Sequence, residues 1–311
     1  MTAKAVAQYA AVLGRHFSYV VLQAVSQVDE PTLQRELGRL VDAELLYQRG
    51  LPPQATYLFK HALIRDIAYE SLLRSTRQGY HQRVAQVLEA QFPETAATQP
   101  ELLAQHYTEA GLSAQAVRYW HQAGQRAIQR AAHAEAVTHL RQGIAVLTTL
   151  PPTPERARQE LAFQTSLGPA LMAVRGYASD EVEHVYRRAR ELSQEVNDTA
   201  EHVRALMGLY VLFFVRANHE AVHALTGELL PLAQALQDPL ALIQTYAHEG
   251  ESLLWQGKCA LARTHLEHAK SLYHPQRYDP SAYFFGHHPV VQNLSILALV
   301  LWVLGLSLIH I

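Results

Sequence analysis

The 311-residue sequence contains one cysteine, Cys259. That excludes a disulfide framework and any thiolate-rich zinc or iron–sulfur centre. A lone thiol at a turn reads as a small packing residue. Glycine and proline are few, 15 and 14, and this scarcity of breakers favours helix along most of the chain. Charged residues make up 17% and nearly cancel, leaving a formal net charge of -2. A chain so close to neutral has no bulk electrostatic means of holding nucleic acid. With 49% apolar residues it has ample material for a core and is not a disordered composition. The N-terminal residues lack an apolar signal-peptide core, so a cytoplasmic setting is expected.

Missing motifs narrow the chemistry further. There is no GxxxxGK[ST] loop and no acidic pair placed after a strand to hold Mg²⁺. Phosphoryl chemistry needs both, so no enzymatic activity, catalytic residue or bound cofactor is expected of this chain. GxSxG and HExxH are absent as well. The 18 histidines include His219 and His223 at i,i+4, His265 and His268 at i,i+3, and the adjacent His287 and His288. None has a third acidic ligand at motif spacing, so no metal site is assigned. The apolar stretch 290–311 is interrupted by Gln292, Asn293, Ser295, Gly305 and Ser307, and no membrane span is expected.

What is present is helical periodicity with one exception. Spacing predicts helices over 3–12 and 17–25, and a third starting near Pro31 with Leu33, Leu37, Leu40 and Val41 on one face. ELLYQR (44–49) and TYLFK (56–60) then read as two short strands around the turn GLPPQA. Helices follow over 61–73 and 77–92, and from residue 99 onward the reading is all helix. Helix–helix–helix–hairpin–helix is a winged-helix-like order. The later helices alternate with short turns, the mark of stacked hairpins. Segments beginning AHAEAVTHL, YASDEVEHV, ANHEAVHAL and GKCALARTHL align on Ala136, Val182, Ala221 and Ala262. The period is about 40, longer than the ~34 of a strict tetratricopeptide (TPR) repeat. In this scheme the alanines allow close helix approach, and Trp120, Tyr210 and Trp255 fill between layers. Residues 291–304 read as the first helix of a further repeat whose partner helix is missing.

The stretches AAVLGRHFSYVVLQAV, LVDAELLYQRGLPPQATYLFKHALIRDIAYESLL and RQGYHQRVAQVLE carry a resemblance. They are similar to the segment after the ATPase core in bacterial STAND-type predicted ATPases, which are often fused to adenylate/guanylate cyclase domains. The resemblance continues through QPELLAQHYTEAG and YWHQAGQRAI, nearly to Gly305. It implies a mostly all-α fold, with a winged-helix-like small domain carrying a short β-hairpin, then a TPR-like α-superhelix. It implies a lid region over 1–92 and helical repeats over 93–305, with LSLIHI (306–311) read as sequencing-adapter read-through and Met1 as an internal start. The implied role is that of a non-catalytic regulatory fragment. A protein or peptide would sit in the TPR-like groove, and the ATPase core would lie upstream in cis. ATP or ADP with Mg²⁺ would belong to the parent protein, with no nucleic acid and no membrane as partner.

His61 is the sharpest candidate residue. It stands where TYLFK hands over to the helix HALIRDIAY. In related NB-ARC proteins a Met-His-Asp motif occupies this place, and its His contacts the ADP phosphate. Here the triplet is Lys60-His61-Ala62, so Met and Asp are both replaced. A His at a helix start can meet an anion together with the free amides, or can merely cap and pack. Two other readings stay open. One is a stand-alone TPR-like adaptor. The other is a winged-helix DNA-binding regulator using Lys60, Arg65, Arg74, Arg77 and Arg83, although Asp66, Glu70 and Glu89 interleave with them.

Overall fold

The computed structural model describes residues 2–274 and 289–306. His287, His288 and residues 307–311 of LSLIHI lie outside the described residues. The chain separates into two compact units, one of residues 1–126 and 141–150, the other of residues 127–140 and 151–311.

In the first unit, short polar side chains start the helices. The Thr2 hydroxyl accepts from the Ala5 amide to start α1 (Ala3–Leu13), and Ser18 accepts from Val21 to start α2 (Tyr19–Ser26). Asp29 caps α3 (Glu30–Asp42), with Pro31 in its first turn. The strands are β1 (His16–Ser18), β2 (Leu46–Arg49) and β3 (Thr56–Phe59), in the antiparallel order β1-β3-β2. Phe17 faces Tyr57 and Leu46 faces Phe59. β1 corrects the expected helix over 17–25. Ser18 is extended and serves as the cap, so Phe17 cannot be helical and stacks on Tyr57 instead, ring centroids 5.6 Å apart. The core gathers Val6, Leu22, Leu33, Leu37 and Leu46 with Phe17, Tyr57 and Phe59. Next come α4 (Ala62–Glu70), α5 (Arg74–Gln91), α6 (Pro93–Thr98) and α7 (Pro100–Glu109). α5 starts three residues before the expected position, because Leu73 rather than Thr76 takes the extended cap conformation. After α7 the chain runs through α8 (Ser113–Gln129) and α9 (His133–Leu147).

The second unit is a helical repeat of the TPR-like type. Its helices are α10 (Pro154–Arg175), α11 (Asp180–Glu195), α12 (Thr199–Val215), α13 (His219–Leu236), α14 (Pro239–Trp255), α15 (Cys259–Ser271) and α16 (Pro289–Val303). Consecutive helices pack antiparallel, and the first helices of successive hairpins also touch, α10 on α12, α12 on α14 and α14 on α16. A left-handed residue recurs every twentieth position in the turns, at Asn197, Ala217, Gln237 and Gly257. Directly after the first three, Asp198, Asn218 and Asp238 cap the next helix through their side-chain oxygens. Two such half-repeats make the period of 40.

The packing departs from the expected scheme in three places. In the third repeat the buried anchor is Val222, with Ala221 only half-buried, which spaces Val182, Val222 and Ala262 evenly. Trp255 is 61% exposed at the end of α14 and does not fill between layers, whereas Tyr210 and Trp120 are buried. Close approach is made by glycines of the first helices. Gly168 and Gly208 both receive the ring of Tyr186, and Gly250 receives Leu266. Leu297, Val300 and Leu301 of α16 pack on Leu253, Ala262 and Leu266, leaving Trp302 and Val303 exposed.

Candidate functional site

At the end of β3 the chain presents the two residues singled out from the sequence. Lys60 is held in place. Its amide donates to the Leu45 carbonyl, its ammonium pairs with the Glu44 carboxylate, and it lies 5.7 Å from the centre of the Tyr47 ring. The mutual hydrogen bond raises the Lys60 pKa and lowers that of Glu44. His61 takes the extended cap position of α4, and its carbonyl accepts from Ile64. Its side chain makes no cap bond and is exposed. The ring is therefore open to solvent at the start of α4, the end of a helix that leaves amides free to meet an anion. The outer side of α4 is apolar beside them, with Leu63 68% and Ile67 60% exposed.

Deeper in the same unit, α5 and α7 bring together two histidines that no motif marks. Nδ1 of His81 and Nδ1 of His106 are 2.8 Å apart, and the Tyr69 hydroxyl is 3.0 Å from Nε2 of His81. Two Nδ1 atoms at this distance share one proton. His81 donates to His106 or the reverse, and both rings stay neutral. Burial pushes His81 down to about 4, helped by the Arg77 and Arg65 charges, and burial pushes His106 down to about 3.

In the repeat unit a second polar network joins three helices. Ser193 Oγ lies 2.8 Å from Nδ1 of His202, and Nε2 of His202 lies 3.2 Å from Glu228. Arg190 closes the network with a 2.7 Å bond to Glu228. Serine, histidine and carboxylate stand in a catalytic order, but Ser193 is 1% exposed and its hydroxyl donates to the Arg190 carbonyl at 2.7 Å. A sealed, committed hydroxyl locks helices together and does not present a nucleophile. Glu160 and Arg188 form a comparable bidentate tie between α10 and α11.

The same unit has a cleft where α12 and α14 run side by side. It encloses ≈ 180 Å³. Val203 and Met207 of α12, Leu236 at the end of α13, and Leu240 and Ala241 of α14 form apolar walls. Arg204, Asp238 and Gln244 supply its polar groups. The sequence did not mark these residues, although 200, 203 and 207 share one helix face, as do 241 and 244.

Among the described residues no group of three His, Cys, Asp or Glu side chains gathers as a metal-ligand set. His265 and His268 instead pack on the Tyr246 ring, at 5.9 and 4.5 Å, and His219 and His223 are exposed. No helix among the described residues is long and apolar enough to cross a membrane.

Fold and cleft together define a TPR-like helical-repeat protein with a small sheet-bearing unit before the repeats. No protein-family model matches the chain. It is 24% identical over 311 residues to an uncharacterized protein of Rhizobium meliloti (strain 1021). That alignment covers 98% of this chain and 30% of the relative, so the chain spans less than a third of the relative's length. Among solved structures it is similar to a STAND protein with a tetratricopeptide repeat sensor from Pyrococcus horikoshii. The TM-score is 0.45 at 11% identity, covering 97% of this chain and 47% of that one. It is also similar to NprR in complex with its cognate peptide NprX, with a TM-score of 0.48 at 12% identity, covering 92% and 71%.

Proposed function

We propose that this chain is the regulatory and protein-interaction part of a signal-transduction STAND ATPase, with no catalysis of its own. The repeat unit binds a protein or peptide along its first helices. The sheet-bearing unit acts as a winged-helix-like lid that couples to the nucleotide state of an ATPase core in cis. The observation that carries the reading is the regular 40-residue stack of hairpins, whose first helices line up and leave a part-polar cleft between α12 and α14. Surfaces of that kind bind extended partners rather than turn over substrates. The sequence resemblance over 11–90 supports the lid. So do the outward-facing His61 and the exposed Leu63 and Ile67 beside it, a surface suited to packing on a core.

In this account ATP or ADP with Mg²⁺ binds the core, and His61 reaches its phosphate with the α4 amides. Lys60, tied to Glu44, positions the hand-over from β3 to α4. To act as a sensor the repeat arm must bind its partner with different affinity in the two states of the core. Isothermal titration of this chain alone with ATP or ADP and Mg²⁺ is expected to show no binding, and micromolar affinity overturns the account. His61→Ala is expected to change unfolding free energy by less than ~0.5 kcal/mol, because the exposed ring makes no bond. In a chain that includes the core the same substitution speeds ADP release several-fold. An unchanged release rate removes His61 from the site.

A further inference from the structure

The sheet-bearing unit has an open cleft of ≈ 430 Å³ where the end of α4, the start of α5 and the end of α7 meet. Arg74, Arg77 and Gln78 of α5 line it, with Tyr69 of α4 and Thr108 and Glu109 of α7. Arg74 and Arg77 stand one helical turn apart on one face of α5. Among the described residues neither pairs with a carboxylate. Their charge has the wrong sign for the place. The start of a helix is positive and favours acids, and like charges one turn apart repel. Yet α5 has no acidic residue in its first turn and no side-chain cap. Arg65 comes near the same cleft, 5.3 Å from the Tyr69 ring, but is already paired with Asp66. Positive charge gathered at a concave surface without an acid to match it suits an anion.

The Arg77 guanidinium lies on the Tyr69 ring, 4.9 Å from its centre. Stacking uses its face and leaves in-plane N–H donors for an oxyanion. A carboxylate would answer only one of the two arginines. A phosphate monoester, with roughly −1.5 to −2 charges at neutral pH, answers both. Glu109 sets the other requirement. It accepts a long bond of 3.5 Å from the Tyr69 hydroxyl and would repel a ligand that is anionic throughout. A hydroxyl would instead donate to it. The cleft has several times the volume of one tetrahedral oxyanion, which leaves room for the rest of such a molecule. We propose that this cleft binds a small hydroxylated phosphate monoester, with its phosphate on Arg74 and Arg77 and a hydroxyl on Glu109. The site is separate from the peptide-binding role of the repeat unit and does not depend on it.

The probes are ribose 5-phosphate, inorganic phosphate and ribose. Each is titrated into the whole chain near neutral pH at constant ionic strength and followed by the arginine Nε–H signals in NMR. Ribose 5-phosphate is expected to shift the Arg74 and Arg77 signals saturably, and ribose to shift neither. Arg77→Gln is expected to weaken ribose 5-phosphate binding by about tenfold or more, the worth of a hydrogen bond to a charged group. Arg74→Gln does the same at an exposed position, where the fold is least disturbed. Ribose 5-phosphate binds more tightly than inorganic phosphate by about threefold or more, the worth of one further hydrogen bond, and Glu109→Gln reduces that preference. Equal or tighter binding of inorganic phosphate overturns the assignment of an ester. No saturable shift at either arginine, or unchanged affinity in both arginine variants, overturns the site.

Discussion

Gly208→Ala is expected to lower the unfolding free energy by about 3 kcal/mol, at the upper end of the usual cost of overpacking a rigid core. The added Cβ would fall well inside 3.0 Å of the Tyr186 ring. That ring has nowhere to go. It is fully buried, and on its far side it meets Gly168, where a Cβ would collide with it in the same way. Tyr186 of α11 is thus wedged between the first helices of two hairpins, α10 and α12. The glycines set the distance between repeats, and the tyrosine fills the space they leave. Urea unfolding of Gly208→Ala, Tyr186→Leu and the double variant tests this. Tyr186→Leu alone should also destabilise, through the cavity it leaves. The double variant should fall well short of the sum of the two losses, since the added methyl enters the vacated volume. Strict additivity would show that the two residues do not share one packing site.

The second large effect is acid sensitivity of the sheet-bearing unit. His81 and His106 have folded values of about 4 and about 3, below the 6.5 of an exposed imidazole. A histidine depressed by folding takes up its proton on unfolding, so the unfolded state gains as pH falls. The contribution is complete above about pH 6.5 and drains away as pH falls toward 4. Each histidine contributes up to ~1.4 kcal/mol per pH unit in that window. Between pH 7 and pH 5 the pair therefore accounts for a loss of roughly 4 kcal/mol. Protonation of both rings makes each Nδ1 a donor and breaks the 2.8 Å Nδ1···Nδ1 contact. His81→Leu with His106→Leu replaces both partners by apolar groups and should flatten the stability profile over this range. An unchanged slope from pH 7 to 5 would mean that both rings are already charged or already solvated.

Much of the architecture follows from local signals in the sequence. Asp198, Asn218 and Asp238 stand before apolar-periodic runs, and each is the cap that such a position predicts. The short apolar and aromatic runs in 44–49 and 56–60, set around the Gly- and Pro-rich turn between them, marked β2 and β3. β1 did not announce itself, because three residues are too few to show a period and Phe17 sits in an otherwise helical apolar run. The glycine–tyrosine wedge was hidden for a different reason. Glycine inside a helix reads as a weakness, and only the neighbouring helix shows that the missing Cβ is filled by Tyr186. Trp255 misled by the same logic in reverse. It is large and apolar, yet it falls in the last turn of α14, where the helix runs out to solvent.

The candidate sites were less legible than the fold. His61 was visible because it sits at the junction of a strand and a helix. Its neighbour's partner, Glu44, is 16 positions away and is brought there only by the antiparallel hairpin. The histidine pair spans 25 positions without a motif.

The most direct test of the interaction role is hydrogen exchange of the whole chain with and without a peptide that it retains from a random-peptide library. The account predicts slowed exchange in the first turns of α12 and α14, around Val203 and Gln244, with little change at α4. Protection confined to the sheet-bearing unit, or absent from both helices, would contradict it.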